Sequence, residues 1–238
     1  MKEVTVSTLA TYRLEDGIGT IAMDDGKRNV LSLEMLRHLS DAFTRAEADR
    51  AVVVLRGREG AFSAGFDLRT LQGGGADAHA MVRAGFELAA RMLAFPRPIV
   101  VACTGHAIAM GAFLLLSGDY RLGASGAFKV GANEVAIGIT MPFFGVEICR
   151  QRLAPAHFHR AVINAETYRP EDAVAAGFLD RVVPASDLED VSRMVAGGAL
   201  GSLDQTAHAA TKLRARKGAL DAIRAAIEAD DDFFRALR

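Results

Sequence analysis

The feature that most constrains the fold is an apolar, β-branched run at residues 51–55, which leads into a turn of small residues. The run predicts a buried strand, and the turn lies in the segment AFSAGFDL at residues 61–68. Small residues and glycine let the backbone approach a ligand closely and leave N–H groups pointing outward. This segment is therefore predicted to hold a negatively charged oxygen.

The composition allows one sizeable domain. It does not favour binding to a strongly charged partner. The chain has 238 residues, of which 50% are hydrophobic, with a formal net charge of −1 and a mean hydropathy of +0.17. Such a chain can bury a substantial core, and its charge gives no strong attraction to polyanions or lipid surfaces. We therefore expect no nucleic acid and no membrane among its partners.

Cysteine usage and the N-terminus favour a cytoplasmic protein. Cys103 and Cys149 lie in apolar segments without a metal-ligand spacing, which is typical of reduced core residues, and no metal site is expected. Residues 1–10 show no export signal. The longest apolar runs are far shorter than the roughly 20 residues that a membrane helix needs.

Periodicity predicts an α/β chain in which strands and helices alternate before an all-helical tail. Residues 72–75 are expected to form a mobile loop, and the tail is expected to be helical from Asp187, with breaks near residues 197–202 and at Gly218. The expected strands are 11–15, 18–23, 51–55, 99–103 and about 120–122, and the expected helices are 32–48, 80–93, 111–117, 145–152, 155–164 and 170–176.

A second glycine-containing segment, GHAIAMGAF at residues 105–113, also follows a buried strand and opens a helix. Unpaired N–H groups at a helix N-terminus favour anions, with help from the helix dipole. One donor from each of the two turns would form an oxyanion hole. The alternative is a pair of tight strand-to-helix turns, which any α/β protein needs.

Glu134 is the one carboxylate in the mostly apolar stretch 124–144. An acid in apolar surroundings has a raised pKa and can act as a general base near neutral pH. Taken alone, such a residue is more often a solvated loop glutamate, so the functional interpretation depends on the other two segments.

Together the three segments resemble the crotonase (enoyl-CoA hydratase/isomerase) superfamily. Residues 62–68 look like its first oxyanion motif, and residues 105–121 look like its second. Glu134, within NEVAIG, and residues 173–183 match later landmarks of the family. The segment NVLS at residues 29–32 is similar to an early motif that contacts coenzyme A.

The resemblance implies a fold, an assembly and a substrate. The fold would be a crotonase-like spiral of ββα units over residues 1–185, with a helical C-terminal region over residues 186–238 that mediates trimerisation. The family forms homotrimers that often pair into hexamers, and it acts on acyl-CoA thioesters. Coenzyme A would enter as part of the substrate, and no separate cofactor is expected.

The resemblance also assigns candidate site residues. The oxyanion donors would be the N–H of Phe66 and the N–H of Met110 or Gly111. The family usually has Gly-Gly where this chain has Met110-Gly111, so the methionine side chain must point away from the thioester. The residues expected to bind coenzyme A or the acyl group are Asn29, Leu31, Ser63, Ala64, Gly65, Asp67, Leu68, Phe113 and Phe143.

The glutamate pattern favours one reaction of the family. Its hydratases use two glutamates, and the position of the first is occupied here by Phe113, which cannot activate water. One carboxylate, Glu134, is enough to move a proton, so the chain most resembles Δ3,Δ2-enoyl-CoA isomerases. The alternatives are enoyl-CoA hydration, another crotonase reaction such as thioester hydrolysis, and a non-catalytic subunit that binds acyl-CoA.

Several further charged residues, inside and outside these segments, are expected to have structural roles or to contact the ligand. We expect Asp67 to cap the helix that follows it, and we expect Asp119 to pair with Arg121. His106 is expected to be a packed or capping histidine, and Glu147 to lie on a helix surface. The basic run Lys212, Arg214, Arg216 and Lys217 would be a solvated helix face or a contact for CoA phosphates.

Overall fold

A computed structural model describes the backbone of residues 8–236 and the side chains of residues 8–232. Most of the N-terminal segment in which we expect no export signal therefore lies outside the described residues. In the described part of the chain, no helix is both long enough and apolar enough to cross a membrane.

As the chain proceeds, the strands alternate between a larger, mostly parallel sheet and a smaller parallel sheet, apart from two short strands that pair with each other. The strands are β1 (Ala10–Glu15), β2 (Ile18–Met23), β3 (Val30–Leu31), β4 (Val52–Arg56), β5 (Gly60–Ser63), β6 (Gly65–Phe66), β7 (Ile99–Cys103), β8 (Gly105–Ile108), β9 (Tyr120–Ala124), β10 (Val130–Gly131) and β11 (Arg181–Val183). The larger sheet has the order β1-β2-β4-β7-β9-β11, and the smaller has the order β10-β8-β5. All pairs except β1 with β2 are parallel.

Helices cover the sheets and form the C-terminal part. They are α1 (Leu33–Ala48), α2 (Leu68–Gly73), α3 (Gly75–Ala94), α4 (Met110–Leu116), α5 (Phe143–Arg150), α6 (Pro155–Val162), α7 (Pro170–Ala176), α8 (Leu188–Ser202) and α9 (Gln205–Ala236). Because a strand of each sheet precedes α2 and α3, then α4, then α5, the chain winds as repeated ββα units. This confirms the α/β crotonase-like spiral.

The central strands are buried on both faces, which explains their continuous apolar sequence. Side chains alternate along a strand, so Val53 and Leu55 of β4 join the core under α1 and α3. Val52 and Val54 point the other way and pack with Leu188 of α8. The larger sheet therefore separates two apolar layers.

The helix boundaries differ from the sequence prediction at three places. The expected loop at residues 72–75 is only a junction at Gly74, because α2 ends at Gly73 and α3 begins at Gly75. Helix α8 runs through residues 197–202, and α9 runs through Gly218. A helical glycine costs only about 1 kcal/mol, which tertiary packing of a long helix offsets.

Helix α9 is tied to the core by buried charges. Asp119 accepts a hydrogen bond from Lys212 at 2.6 Å and pairs with Arg216 at 2.9 Å. Arg121 pairs instead with Asp180 at 2.6 Å, so the expected Asp119–Arg121 pair is wrong. Each of these residues meets an opposite charge from a distant element, which neighbouring positions in the sequence do not reveal.

The residues of the basic run on α9 lie on two different faces of the helix. Lys212 and Arg216 are one turn apart and face Asp119, whereas Arg214 and Lys217 are exposed. Lys217 pairs with Asp221 on the same helix. The run is therefore neither a wholly solvated face nor a set of free cations. A role of the C-terminal helices in trimerisation stays a prediction.

Candidate functional site

Three neighbouring parallel strands bring the candidate segments to one edge of the smaller sheet. Strand β8 lies between β5 and β10, and all three run in the same direction. Their carboxyl ends are Ser63, Ile108 and Gly131. Since the carboxyl ends of parallel strands lie on the same edge, the turns that follow them and the segment of Glu134 meet there.

The first turn is fixed by hydrogen bonds from buried side chains. Ser63 Oγ donates to Asn29 O at 2.7 Å and accepts from Gly65 N at 3.1 Å. Asn29 Nδ2 donates to Met23 O at 3.0 Å and to the carbonyls of Ala61 and Phe62, both at 3.2 Å. Asn29 and Ser63 are fully buried, so their side chains shape the turn.

The second turn contains an alanine in a strained conformation. Ala109 has a φ of +52°, which costs a non-glycine residue about 1–3 kcal/mol. Its N–H donates to Gly131 O at 3.0 Å, and its carbonyl accepts from Ala112 N at 2.8 Å. These bonds hold the strained residue in place. Met110 and Gly111 then begin α4, where N–H groups have no acceptor within their own helix.

The two turns are in direct contact, and glycine permits the contact. A Cβ on Gly111 would lie 2.4 Å from Ser63 O, and a Cβ on Gly65 would lie 3.0 Å from Ile108 O. Gly65 also has a φ of +87°, which favours glycine. That Cβ position is also 3.4 Å from Met110 N, so the backbone at Gly65 lies against the start of α4.

Access to this pair of turns is one-sided. Met110 and Gly111 are buried, whereas Ala64 and Phe66 are half-buried. The solvent-accessible part of the two turns is therefore at Ala64 and Phe66. The ring of Phe66 packs against Phe86 of α3, and a Cβ on Gly85 would lie 2.5 Å from it, so this glycine makes room for the ring.

Glu134 is a buried carboxylate with an unsatisfied oxygen. The residue is 7% exposed, and its Oε2 has no hydrogen-bond partner. Burial raises its pKa from 4.5 to about 7. Its carbonyl accepts from Ile137 N at 3.1 Å and from Ile139 N at 2.9 Å, so a short 3-10 turn fixes the backbone there. Glu134 is therefore poised to gain or lose a proton near neutral pH.

Helix α5 packs apolar side chains beside the segment that carries Glu134, since a Cβ on Gly145 would meet both Met141 and Phe113. The charge of Glu134 contributes to the raised pKa of Cys149, after burial, which places these two side chains near each other. Phe113 packs edge-on against Phe144, with ring centroids 5.9 Å apart. Phe144 in turn stacks on Phe86 at 4.2 Å. These three rings form an aromatic wall that joins α3, α4 and α5.

The other residues predicted to contact the ligand differ widely in solvent exposure. Leu31 and Phe113 are buried in the core, so neither reaches solvent in this structure. Leu68 is 52% exposed and Phe143 is 58% exposed. Asp67 accepts from Arg69 N at 3.0 Å, which confirms it as the N-cap of α2. Their roles toward coenzyme A or the acyl group stay predictions.

The remaining charged candidates have structural partners. His106 is exposed, but its Nδ1 accepts from Lys129 N at 3.0 Å and its ring meets Phe128 edge-on. Glu147 is half-buried and pairs with Arg150 one turn along α5. Both outcomes agree with the structural interpretation of these residues.

A separate cleft of about 350 Å³ lies against α8 and the other face of the larger sheet. Arg56 and Glu189, which line this cleft, pair with each other at 2.7 Å. None of the predicted site residues lines it. Among the described residues, no group of three or more histidine, cysteine or acidic side chains could hold a metal ion.

Sequence reasoning missed one buried acid near the site, Asp230. Its carboxylate accepts from the N–H groups of Phe143 and Phe144, both at 2.9 Å. Asp230 lies in a run of three aspartates on a helix, a pattern that usually marks a solvated face. The sequence gives one indication of such a cap. Pro142 precedes α5 and has no side chain that can cap it, so another residue must accept from the first N–H groups.

Comparison with known proteins agrees with this geometry. Residues 13–238 match the family model of enoyl-CoA hydratase/isomerase. An enoyl-CoA hydratase/isomerase family protein from Pseudomonas syringae is 46% identical, with a TM-score of 0.92 over 94% of this chain and 97% of that one. The enoyl-CoA isomerase of Mycobacterium tuberculosis is 44% identical, with a TM-score of 0.90 over 94% and 97%. A probable enoyl-CoA hydratase of Mycobacterium avium is 30% identical over 87% of this chain and 79% of its own.

Proposed function

Because the chain belongs to the enoyl-CoA hydratase/isomerase family, we propose that it is an enoyl-CoA isomerase that moves a double bond from C3 to C2. The observation that carries this proposal is the buried, unpaired carboxylate of Glu134 at the same sheet edge as the two contacting turns. The substrate would be a 3-enoyl-CoA, with coenzyme A as part of it and no separate cofactor.

The reaction needs one base, and that base returns the proton as an acid. Glu134 removes a proton from C2, and the electron pair of the C–H bond moves into a dienolate with its charge on the thioester oxygen. The N–H groups of Phe66 and of Met110 or Gly111 stabilise that oxygen. Protonated Glu134 then gives the proton to C4, and the double bond remains between C2 and C3.

The pKa of Glu134 suits both halves of this reaction. At a pKa of about 7, an appreciable fraction of the carboxyl is ionised at neutral pH and can act as a base. The protonated form is still acidic enough to return the proton to the dienolate. The burial of Glu134, which is 7% exposed, supports this role, because it limits hydration of the carboxylate.

Hydration of a 2-enoyl-CoA is the second candidate, and the printed name of the M. avium relative favours it. Hydration requires a base for the water and an acid for the α-carbon. Phe113 is buried against Phe144 where family hydratases have their first glutamate, so a second acid would have to come from elsewhere. The M. tuberculosis neighbour favours neither candidate, because one structure of it is described as an isomerase and another as a probable enoyl-CoA hydratase.

Product analysis separates the candidates. Purified protein is incubated in parallel with a 3-enoyl-CoA, with crotonyl-CoA and with a saturated acyl-CoA, and the thioesters are separated chromatographically. We expect conversion of the 3-enoyl-CoA to the 2-enoyl-CoA, with little hydration and little free coenzyme A. The variant Glu134→Gln should lose about 10³-fold in kcat, in the range typical of a lost general base.

Glu147→Gln serves as the matched control, since Glu147 is an acid of neighbouring helix α5 that pairs with Arg150. We expect this variant to keep most of the activity. Robust hydration of crotonyl-CoA by the wild-type protein would contradict the isomerase proposal. Tight binding of all three thioesters without turnover would indicate a non-catalytic acyl-CoA-binding subunit.

A further inference from the structure

We propose that Asp230 of α9 is a positioning residue for Glu134, which it holds in place through the N-terminus of α5. This inference rests on the proposed role of Glu134. Asp230 Oδ1 accepts from Phe143 N and Asp230 Oδ2 accepts from Phe144 N, each at 2.9 Å. The carboxylate is 5% exposed and lies 86 and 87 residues along the chain from its two donors.

Helix α5 depends on this distant carboxylate for its cap. The residue before the helix is Pro142, which makes no side-chain capping bond. Phe143 and Phe144 are the first two helical residues, so their N–H groups have no acceptor inside α5. A carboxylate at a helix N-terminus satisfies such donors and interacts favourably with the helix dipole. Asp230 supplies both effects.

The position of Asp230 is itself fixed by α3. Arg83 of α3 pairs with Glu228 at 2.9 Å and with Asp231 at 3.2 Å, and His79 of α3 also pairs with Asp231. Glu228 and Asp231 flank Asp230 on α9. The end of α9 is thereby anchored on α3 and bonded to α5, so it holds these two helices together beside the aromatic wall.

Helix α5 in turn sets the surroundings of Glu134. Its Phe144 stacks on Phe86 and contacts Phe113, and its Cys149 lies near the Glu134 carboxylate. The segment between Glu134 and α5 is only residues 135–142, and Ile139 N donates to Glu134 O at 2.9 Å. A shift of the first turn of α5 would therefore displace Cys149 and the short segment 135–142, and with them the surroundings that keep Glu134 buried.

The test uses two variants of Asp230 and a control on the same helix. Asp230→Ala removes both acceptors, and Asp230→Asn keeps one side-chain oxygen without the charge. Asp221→Asn is the control, because Asp221 is an exposed residue of α9 that pairs only locally with Lys217. Each protein is measured by the pH dependence of kcat and KM, and by carboxyl-carbon NMR titration of Glu134 without substrate, assigned by difference from Glu134→Gln.

We expect Asp230→Ala to lower kcat about tenfold while KM changes less, since misplacement of a reacting group lowers the rate of the chemical step. The titration midpoint of Glu134 should fall toward the ordinary glutamate value, because water reaches a less buried carboxylate. Asp230→Asn should lie between Asp230→Ala and the wild type. Asp221→Asn should match the wild type in both measurements.

A merely structural role of Asp230 predicts a different result. In that case Asp230→Ala would lower the melting temperature and leave the Glu134 midpoint and kcat unchanged, which would overturn the inference. If Asp230→Ala does not fold, Asp230→Asn decides, and an unchanged midpoint and kcat would again overturn it. Since the NMR titration needs no substrate, failure of the isomerase proposal would remain distinguishable from failure of this one.

Discussion

Two carboxyl regions of this molecule have opposite electrostatics, one beside the buried cation of Arg121 and one at the buried acid Glu134. Around Asp180, burial raises the carboxyl pKa, but hydrogen bonds and charge from Arg121 outweigh it and hold the pKa below the usual range. At Glu134 no cation offsets burial, and the pKa rises to about 7. The first carboxylate is charged and structural at neutral pH, whereas the second can exchange its proton.

The difference shows how one fold reserves a carboxylate for chemistry. In the paired region, Lys212 joins α9 to Asp119 directly before β9. Arg121 joins β9 to Asp180 in the loop before β11. An unpaired buried carboxylate destabilises the fold in its charged form, so its presence needs a functional reason. We therefore expect substitutions in the two regions to affect stability with opposite signs.

The largest expected effect is in the paired region. Arg121→Leu removes the hydrogen bonds that the buried guanidinium makes to Asp180 and to the Gly177 carbonyl, which together should destabilise the fold by about 3 kcal/mol. Urea unfolding at pH 7 measures the loss. Arg160→Leu is the matched control, because its pair with Glu166 is solvent-exposed and should contribute little. If Arg121→Leu and Arg160→Leu lowered the free energy of unfolding equally, the buried guanidinium of Arg121 would contribute no more than a surface pair.

In the unpaired region, removal of the charge should stabilise the protein. The folded pKa of Glu134 is raised from 4.5 to about 7, so wild-type stability falls as pH rises between these values and stays low above them. Glu134→Gln should therefore raise the free energy of unfolding by up to about 3 kcal/mol at pH 8 and by less than about 1 kcal/mol at pH 5. A difference between the two proteins that does not depend on pH would contradict a raised pKa.

The third effect concerns the turn that supplies the first donor. Gly65→Ala places a Cβ 3.0 Å from Ile108 O at a φ of +87°, so the backbone must move and carry the Phe66 N–H with it. We expect about a 10²-fold loss of kcat, comparable to the loss of one oxyanion donor. Gly60→Ala is the control, since it also has a positive φ but meets no atom within 4 Å. If both variants showed similar kinetics, the result would contradict the assignment of Phe66 N–H as an oxyanion donor.

Local sequence patterns were enough to predict five strands of the larger sheet and the three segments of the site, but not the short strands of the smaller sheet. The small-residue turn at Gly65, the helix start at Met110 and the lone acid Glu134 each follow a buried strand, and parallel pairing then brings them together. The partners of Asp119 and the cap that Asp230 gives to α5 were not predictable. They join residues 86 to 97 positions apart, and no local pattern encodes which helix face meets which strand.

The measurement that tests the central claim most directly is the pH dependence of kcat/KM for a 3-enoyl-CoA. If Glu134 acts as the base with a pKa of about 7, kcat/KM should fall tenfold for each pH unit below that value and level off above it. The residual activity of Glu134→Gln should lack this acid limb. A wild-type profile that stays flat down to pH 5, or the same limb in Glu134→Gln, would contradict Glu134 as the proton shuttle.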